Sequence, residues 1–80
     1  MNDLLDLHGL TTDEVTGKVD NFIYASQQKG LKKVRIMTGK GTGKVKSSVI
    51  TYLKQGGYPW HYEKDKNGKS NEGVLIVVIN

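Results

Sequence analysis

Val34-Arg35-Ile36-Met37-Thr38-Gly39-Lys40-Gly41-Thr42-Gly43-Lys44 carries the chain out of a strand and into a helix. Val34, Ile36 and Thr38 alternate with Arg35 and Met37, the period-2 pattern of a strand with one face in a core. Val45, Val49, Ile50 and Leu53 then recur at helical spacing and predict a helix over Lys44–Gln55, stopped by Gly56-Gly57. Between the two, three glycines in five positions let the backbone turn sharply and approach a partner that a Cβ would exclude. A helix start offers unpaired N–H donors and partial positive charge, and Lys40 and Lys44 stand beside this one. The stretch reads as a strand–loop–helix unit whose loop suits an anion such as phosphate. The plainer reading is a turn that merely needs small residues.

Toward the N-terminus, Leu4 to His8 reads as a short strand ending at Gly9. Leu5 and Leu7 share one face, and Asp6 and His8 share the other. Thr11 and Glu14 have the spacing of a capping box. Val15, Val19, Phe22, Ile23 and Ser26 predict a helix over Thr12–Lys29, weakened at Gly17 and ended by Gly30. Toward the C-terminus, Tyr58–Glu63 reads as a third strand that Pro59 places at an edge or a strand start. Lys64 to Gly73, with Asn67-Gly68, reads as a long hairpin loop. Val74–Ile79 is apolar on both faces and reads as a central strand.

The order strand, helix, strand, helix, strand, strand constrains the topology. A right-handed crossover makes the first two strands parallel and neighbouring, so His8-Gly9 and Thr38-Gly39 end on one rim. Open α/β sheets bind ligands outside those carboxyl ends. Two pieces of chemistry about thirty residues apart are thereby expected to converge.

Eighty residues make one domain spanning 1–80, near the lower size limit for a single core. The absence of cysteine excludes disulfides and thiolate metal sites and fits the cytoplasm. The longest apolar run, Val74 to Ile79, is too short for a membrane span, and the acidic start does not read as a secretory leader. The net charge of +4 is unevenly spread: residues 1–28 hold five acids and one lysine, residues 29–80 eleven basic groups and three acids. A one-sided basic field is the electrostatic footprint of a nucleic-acid binder, although it also serves solubility.

Gly39-x-Gly41-x-Gly43 is neither the dinucleotide fingerprint nor a P-loop, whose Ser/Thr position is held here by Val45. Asp6-x-His8 has two readings. The carboxylate caps a turn beside a surface histidine, or it orients an imidazole for acid–base work or holds a cation. No third metal ligand is evident in the sequence, which leaves Asp6 the sole candidate. Trp60, Tyr58 and Tyr62 read as sheet cover, and His61 as exposed. Lys32, Lys33, Lys64, Lys66 and Lys69 read first as solvated turns.

Leu5-Asp6-Leu7-His8-Gly9 and Thr38-Gly39-Lys40-Gly41 resemble the paired LDxHG and HGxG/TGxG signatures of Smr (small MutS-related) domains. The resemblance covers almost the whole chain. It implies an α/β, two-layer βαβαββ domain: a four-stranded mixed sheet with two helices on one face, similar to the C-terminal domain of translation initiation factor three. It also implies DNA nicking or cleavage of structured RNA, with Asp6 and His8 as the catalytic pair. Thr38, Gly39, Lys40, Gly41, Gly43, Lys44 and Lys46 are then the nucleic-acid-binding set, and Mg2+ or Mn2+ the candidate cofactor. Thr38 stands where many members carry a second histidine, so a two-imidazole mechanism is not expected. Many stand-alone members also have an N-terminal extension that does not precede the first strand here. The alternative is a module that binds branched DNA, structured RNA or a ribosomal surface without cutting; on either reading the chain is expected to be a monomer.

Overall fold

Val34 and Ile36 are at most 1% exposed, as the alternation requires, and they anchor the sheet around which the chain is built. The computed structural model describes residues 3–39 and 43–80. Its elements run β1 (Leu4–Asp6), α1 (Thr12–Gln28), β2 (Lys33–Met37), α2 (Lys44–Gly56), β3 (Trp60–Lys64) and β4 (Ser70–Val78). The strands lie in the order β1-β2-β4-β3, with β1 parallel to β2 and the other two pairs antiparallel. This is the expected four-stranded mixed sheet.

Register sorts the side chains. Leu5 pairs with Ile36, Ile36 with Leu75, and Val34 with Val77. These residues share one face, against which Val15, Val19 and Ile23 of α1 and Val49 and Leu53 of α2 pack in a single core with Leu7. Fully burying each such side chain is worth roughly 1.5–3 kcal/mol. The opposite face carries Arg35, Ile76 and His61 in one row. There Arg35 pairs with Glu63 at 3.3 Å and with Asp3 at 4.0 Å; the arginine side chain is 42% exposed, so these bridges add little.

Both helices stop by the same device. After α1, Gly30 at φ +78 donates to the Gln27 carbonyl and Leu31 to that of Ser26. After α2, Gly57 at φ +75 donates to Lys54 and Tyr58 to Leu53. This is the Schellman closure, in which a left-handed residue folds the chain back on the last carbonyls.

Beyond one-residue shifts in β2 and at the end of β4, three strand boundaries differ from the sequence reading. The first strand stops at Asp6 rather than His8, because Leu10 N–H closes a turn on the Leu7 carbonyl. The third runs over Trp60–Lys64 rather than Tyr58–Glu63, because Tyr58 is still engaged in closing α2. The last begins at Ser70, so the hairpin connection is residues 65–69 and not Lys64 to Gly73. Ser70 and Asn71 are polar yet paired with Lys64 and Glu63 at the open end of the sheet. A register shift after Tyr62 follows, and Asn71 Oδ1 accepts from Gly73 N–H at 3.0 Å. Asp65 organises the turn by accepting from the N–H groups of Asn67 and Lys69.

Candidate functional site

The parallel register settles which chain ends meet. Asp6 pairs with Met37, and Leu7 N–H donates to the Met37 carbonyl at 2.9 Å. His8 and Gly39 therefore leave the sheet side by side at the carboxyl ends of β1 and β2. Because each of these strands feeds a helix, the starts of α1 and α2 lie at the same rim. Thr12 of α1 and Gly43, Lys44, Lys46, Ser47 and Ser48 of α2 line one cavity there, about 470 Å³ in volume.

The two helix starts are equipped oppositely. At α1, the Glu14 carboxylate accepts from the Thr11 backbone N–H at 3.1 Å and from its hydroxyl at 3.0 Å, with Asp13 alongside. Those bonds, the backbone one first, hold the Glu14 carboxyl below its usual pKa; Lys18 helps and desolvation opposes. That helix start is answered by its own acids. At α2, Gly43 precedes the helix at φ +85, makes no side-chain cap, and the first turn carries no acid. Among the described residues no side chain caps the positive end of α2, and Lys44 and Lys46 stand on its first turn.

Asp6 and His8 are both exposed. Asp6 Oδ1 accepts from the backbone N–H of His8 at 2.9 Å, so the carboxylate caps the turn instead of gripping the imidazole. Thr38 is buried at 7% exposure; its N–H donates to the Gly73 carbonyl at 2.8 Å and its hydroxyl leans on the same oxygen at 3.5 Å. Its side chain supports the strand end from within. Gly39 has φ +78, a backbone state that favours glycine. Lys46 sits 3.5 Å from Glu72 Oε1 and 5.3 Å above the Tyr62 ring. Lys40 and Gly41 lie outside the described residues.

Glu72 was not picked out by its sequence context, a polar run read as hairpin loop. The longer β4 places it on the rim beside Lys46. Thr12, Ser47 and Ser48 were also missed, since hydroxyls near a helix start read first as caps. For a cation, the rim offers the Asp6 carboxylate with one oxygen already engaged by His8 N–H. Among the described residues no three His, Asp or Glu side chains come together as a metal-ion site. The donor set does not fit a protein-held Mg2+ or Mn2+. Among the described residues, no helix is long and apolar enough to cross a membrane.

Known proteins share this fold. The chain is 29% identical over 76 residues to the endonuclease MutS2 of Caldanaerobacter subterraneus, covering 95% of the chain and 10% of that protein. It is 34% identical over 75 residues to the endonuclease MutS2 of Clostridium kluyveri, covering 94% of the chain and 10% of the relative. The chain thus spans about a tenth of these curated relatives' length. The crystal structure of the Smr domain of Thermus thermophilus MutS2 superposes with a TM-score of 0.81 at 27% identity, covering 96% of both chains. YdaL, a stand-alone small MutS-related protein from Escherichia coli, shares the fold with a TM-score of 0.78 at 24% identity, covering 98% of this chain and 64% of its own. The Smr domain profile matches residues 5–80, and the chain belongs to the Smr domain family.

Proposed function

We propose that this chain is a nucleic-acid endonuclease domain whose rim holds a phosphodiester. One observation carries the reading: the β1–β2 register brings exposed His8 beside Gly39 and next to a helix start that no side chain caps among the described residues. The amides at the start of α2, with Lys44 and Lys46, hold the phosphate and stabilise charge developing on its oxygens. Lys40 and Gly41, which lie outside the described residues, belong to the same proposed binding set on the motif alone. His8 serves as general base or acid. In a metal-free course it takes the proton of an adjacent ribose 2′-hydroxyl, whose oxygen attacks phosphorus as the bond to the leaving oxygen breaks. Asp6 positions His8 through its backbone. The relatives named endonuclease MutS2 support the reaction class.

The test is cleavage of supercoiled DNA and of structured RNA, with and without chelator, by the parent and by His8→Ala. Loss of cutting in His8→Ala with binding retained is the expected result. Equal cutting by His8→Ala overturns the role of His8. A single deoxy substitution at the RNA cut site blocks the metal-free course and is tolerated by attack of an external water.

A second reading is favoured by the Asp6 bond to the His8 backbone rather than to its ring. On it the rim binds branched DNA, structured RNA or a ribosomal surface without cutting. It predicts binding that weakens steeply with salt and no cleaved product under any metal condition.

A further inference from the structure

Tyr24, 65% exposed, is the large hydrophobic side chain left in solvent among the described residues. It lies on α1 at the end of the α1–α2 seam remote from the rim, where Asp20, Tyr24, Gln27, Tyr52 and Tyr58 line a groove of about 330 Å³. Tyr52 and Tyr58 stand 6.5 Å apart with rings 15° from parallel, which forms one aromatic wall. The Tyr52 hydroxyl donates to Asp20 Oδ1 and so fixes the carboxylate at the groove.

The seam is polarised along its length. Its rim end carries Lys44 and Lys46; a middle section is lined by Thr16, Ser47, Ser48 and Thr51, and its far end carries Asp20. Asp20 is the one charged side chain among the described residues lining the far groove. A phosphate strand is drawn to the first end and repelled from the second. Aromatic faces with a fixed carboxylate have the opposite preference: a planar cation lies over a ring while its N–H groups reach the acid. Arginine fits both demands better than lysine, whose compact ammonium stays more strongly hydrated. A cationic side chain is repelled by Lys44 and Lys46 at the rim end of the seam and attracted by Asp20 at the far end.

We propose that the Asp20–Tyr24–Tyr52–Tyr58 groove is a second binding site, which takes an arginine side chain from a basic segment of a protein partner. The site is independent of whatever chemistry the rim performs.

The probe is an acetylated, amidated Gly-Arg-Gly-Arg-Gly peptide, titrated into 15N-labelled protein and followed by amide shifts. Shifts should concentrate at residues 20–27 and 52–58 and vanish when citrulline, equal in shape but uncharged, replaces arginine. Asp20→Asn keeps an acceptor for the Tyr52 hydroxyl, so the fold is retained while the charge goes; it should weaken binding about fivefold or more, as should Tyr24→Ala. Asp13→Asn removes a charge from the same helix outside the groove and should leave binding within about twofold. Equal weakening by Asp13→Asn and Asp20→Asn, or shifts spread over all the acids, overturns the site in favour of diffuse attraction. Stronger shifts of the same residues by an oligonucleotide than by the peptide overturn it in favour of a base-stacking surface.

Discussion

The carboxylate of Asp6 holds the backbone N–H of His8 at 2.9 Å, so the acid shapes the turn that presents the imidazole. Asn supplies the same acceptor and Ala does not. Asp6→Asn should keep stability within about 0.5 kcal/mol, whereas Asp6→Ala should lose about 1 kcal/mol in urea denaturation. The same pair separates geometry from charge in the cleavage assay. If Asp6 acts by positioning, Asp6→Asn should cut within a few-fold of the parent. An inactive but folded Asp6→Asn would show that the negative charge itself is needed.

Two glycines should respond with opposite sign. A Cβ at Gly17 meets nothing within 4 Å, and the residue is helical and exposed. Gly17→Ala should therefore stabilise the domain by about 0.5–1 kcal/mol through its helix propensity. Gly57 holds φ +75 at the close of α2, where a side chain strains the backbone. Gly57→Ala should cost about 1–2 kcal/mol. Urea midpoints at constant slope measure both.

Alkaline pH should single out Tyr52. Burial, then the bond to Asp20 and the nearby charge of that carboxylate, push its pKa from 10.0 up to about 12. The folded state thus keeps the phenol proton where the unfolded chain has lost it. The stabilisation is complete below pH 10.0 and fades as pH rises toward about 12. Tyr52→Phe lacks this titration, so its melting temperature should fall less steeply across that window than the parent's. Glu14 behaves in the mirror sense: its lowered pKa contributes stability above the ordinary glutamate value of 4.5, lost as pH falls through the folded value. Glu14→Gln should flatten the acid limb.

How far the fold could be read depended on the range of the forces involved. Val34/Ile36 and Val15/Val19/Ile23 reveal their elements because burial imposes a period on neighbouring residues. Thr11/Glu14, Gly30 and Gly57 mark helix ends because the unpaired backbone groups are local. The right-handed crossover then places His8 beside Gly39 without any coordinate. Contacts between distant residues were not legible. Nothing near Glu72 announces that β4 reaches back to Lys46, and nothing near Asp20 announces Tyr52, 32 positions away. Thr38 shows the same limit. Its motif position suggests the ligand, while its burial is decided by Gly73 of β4. The Asp6 partner was ambiguous for another reason: a carboxylate two residues before a histidine can reach either the ring or the backbone, and the local turn selects the latter.

The Lys46–Glu72 pair gives the sharpest test of the rim. Lys46 Nζ lies 3.5 Å from Glu72 Oε1 and over Tyr62, and its side chain is 25% exposed against 68% for Glu72. A phosphate arriving at the start of α2 must compete with Glu72 for that ammonium. If Lys46 binds phosphate, the two partners should have opposite effects on nucleic-acid affinity. Lys46→Ala should weaken binding and lower the salt-dependence slope by about one. Glu72→Gln should tighten binding by releasing the lysine and removing a repulsive charge. Loss of an acid anywhere gives some tightening, so Glu63→Gln is the control; Glu63 pairs with Arg35 on the opposite face of the sheet. Glu72→Gln should exceed Glu63→Gln by several-fold at low salt, and the gap should close as salt rises. In the double variant with Lys46→Ala, most of the gain from Glu72→Gln should disappear, because the released cation is no longer present. Equal gains from the two Gln variants would place the phosphate away from Lys46.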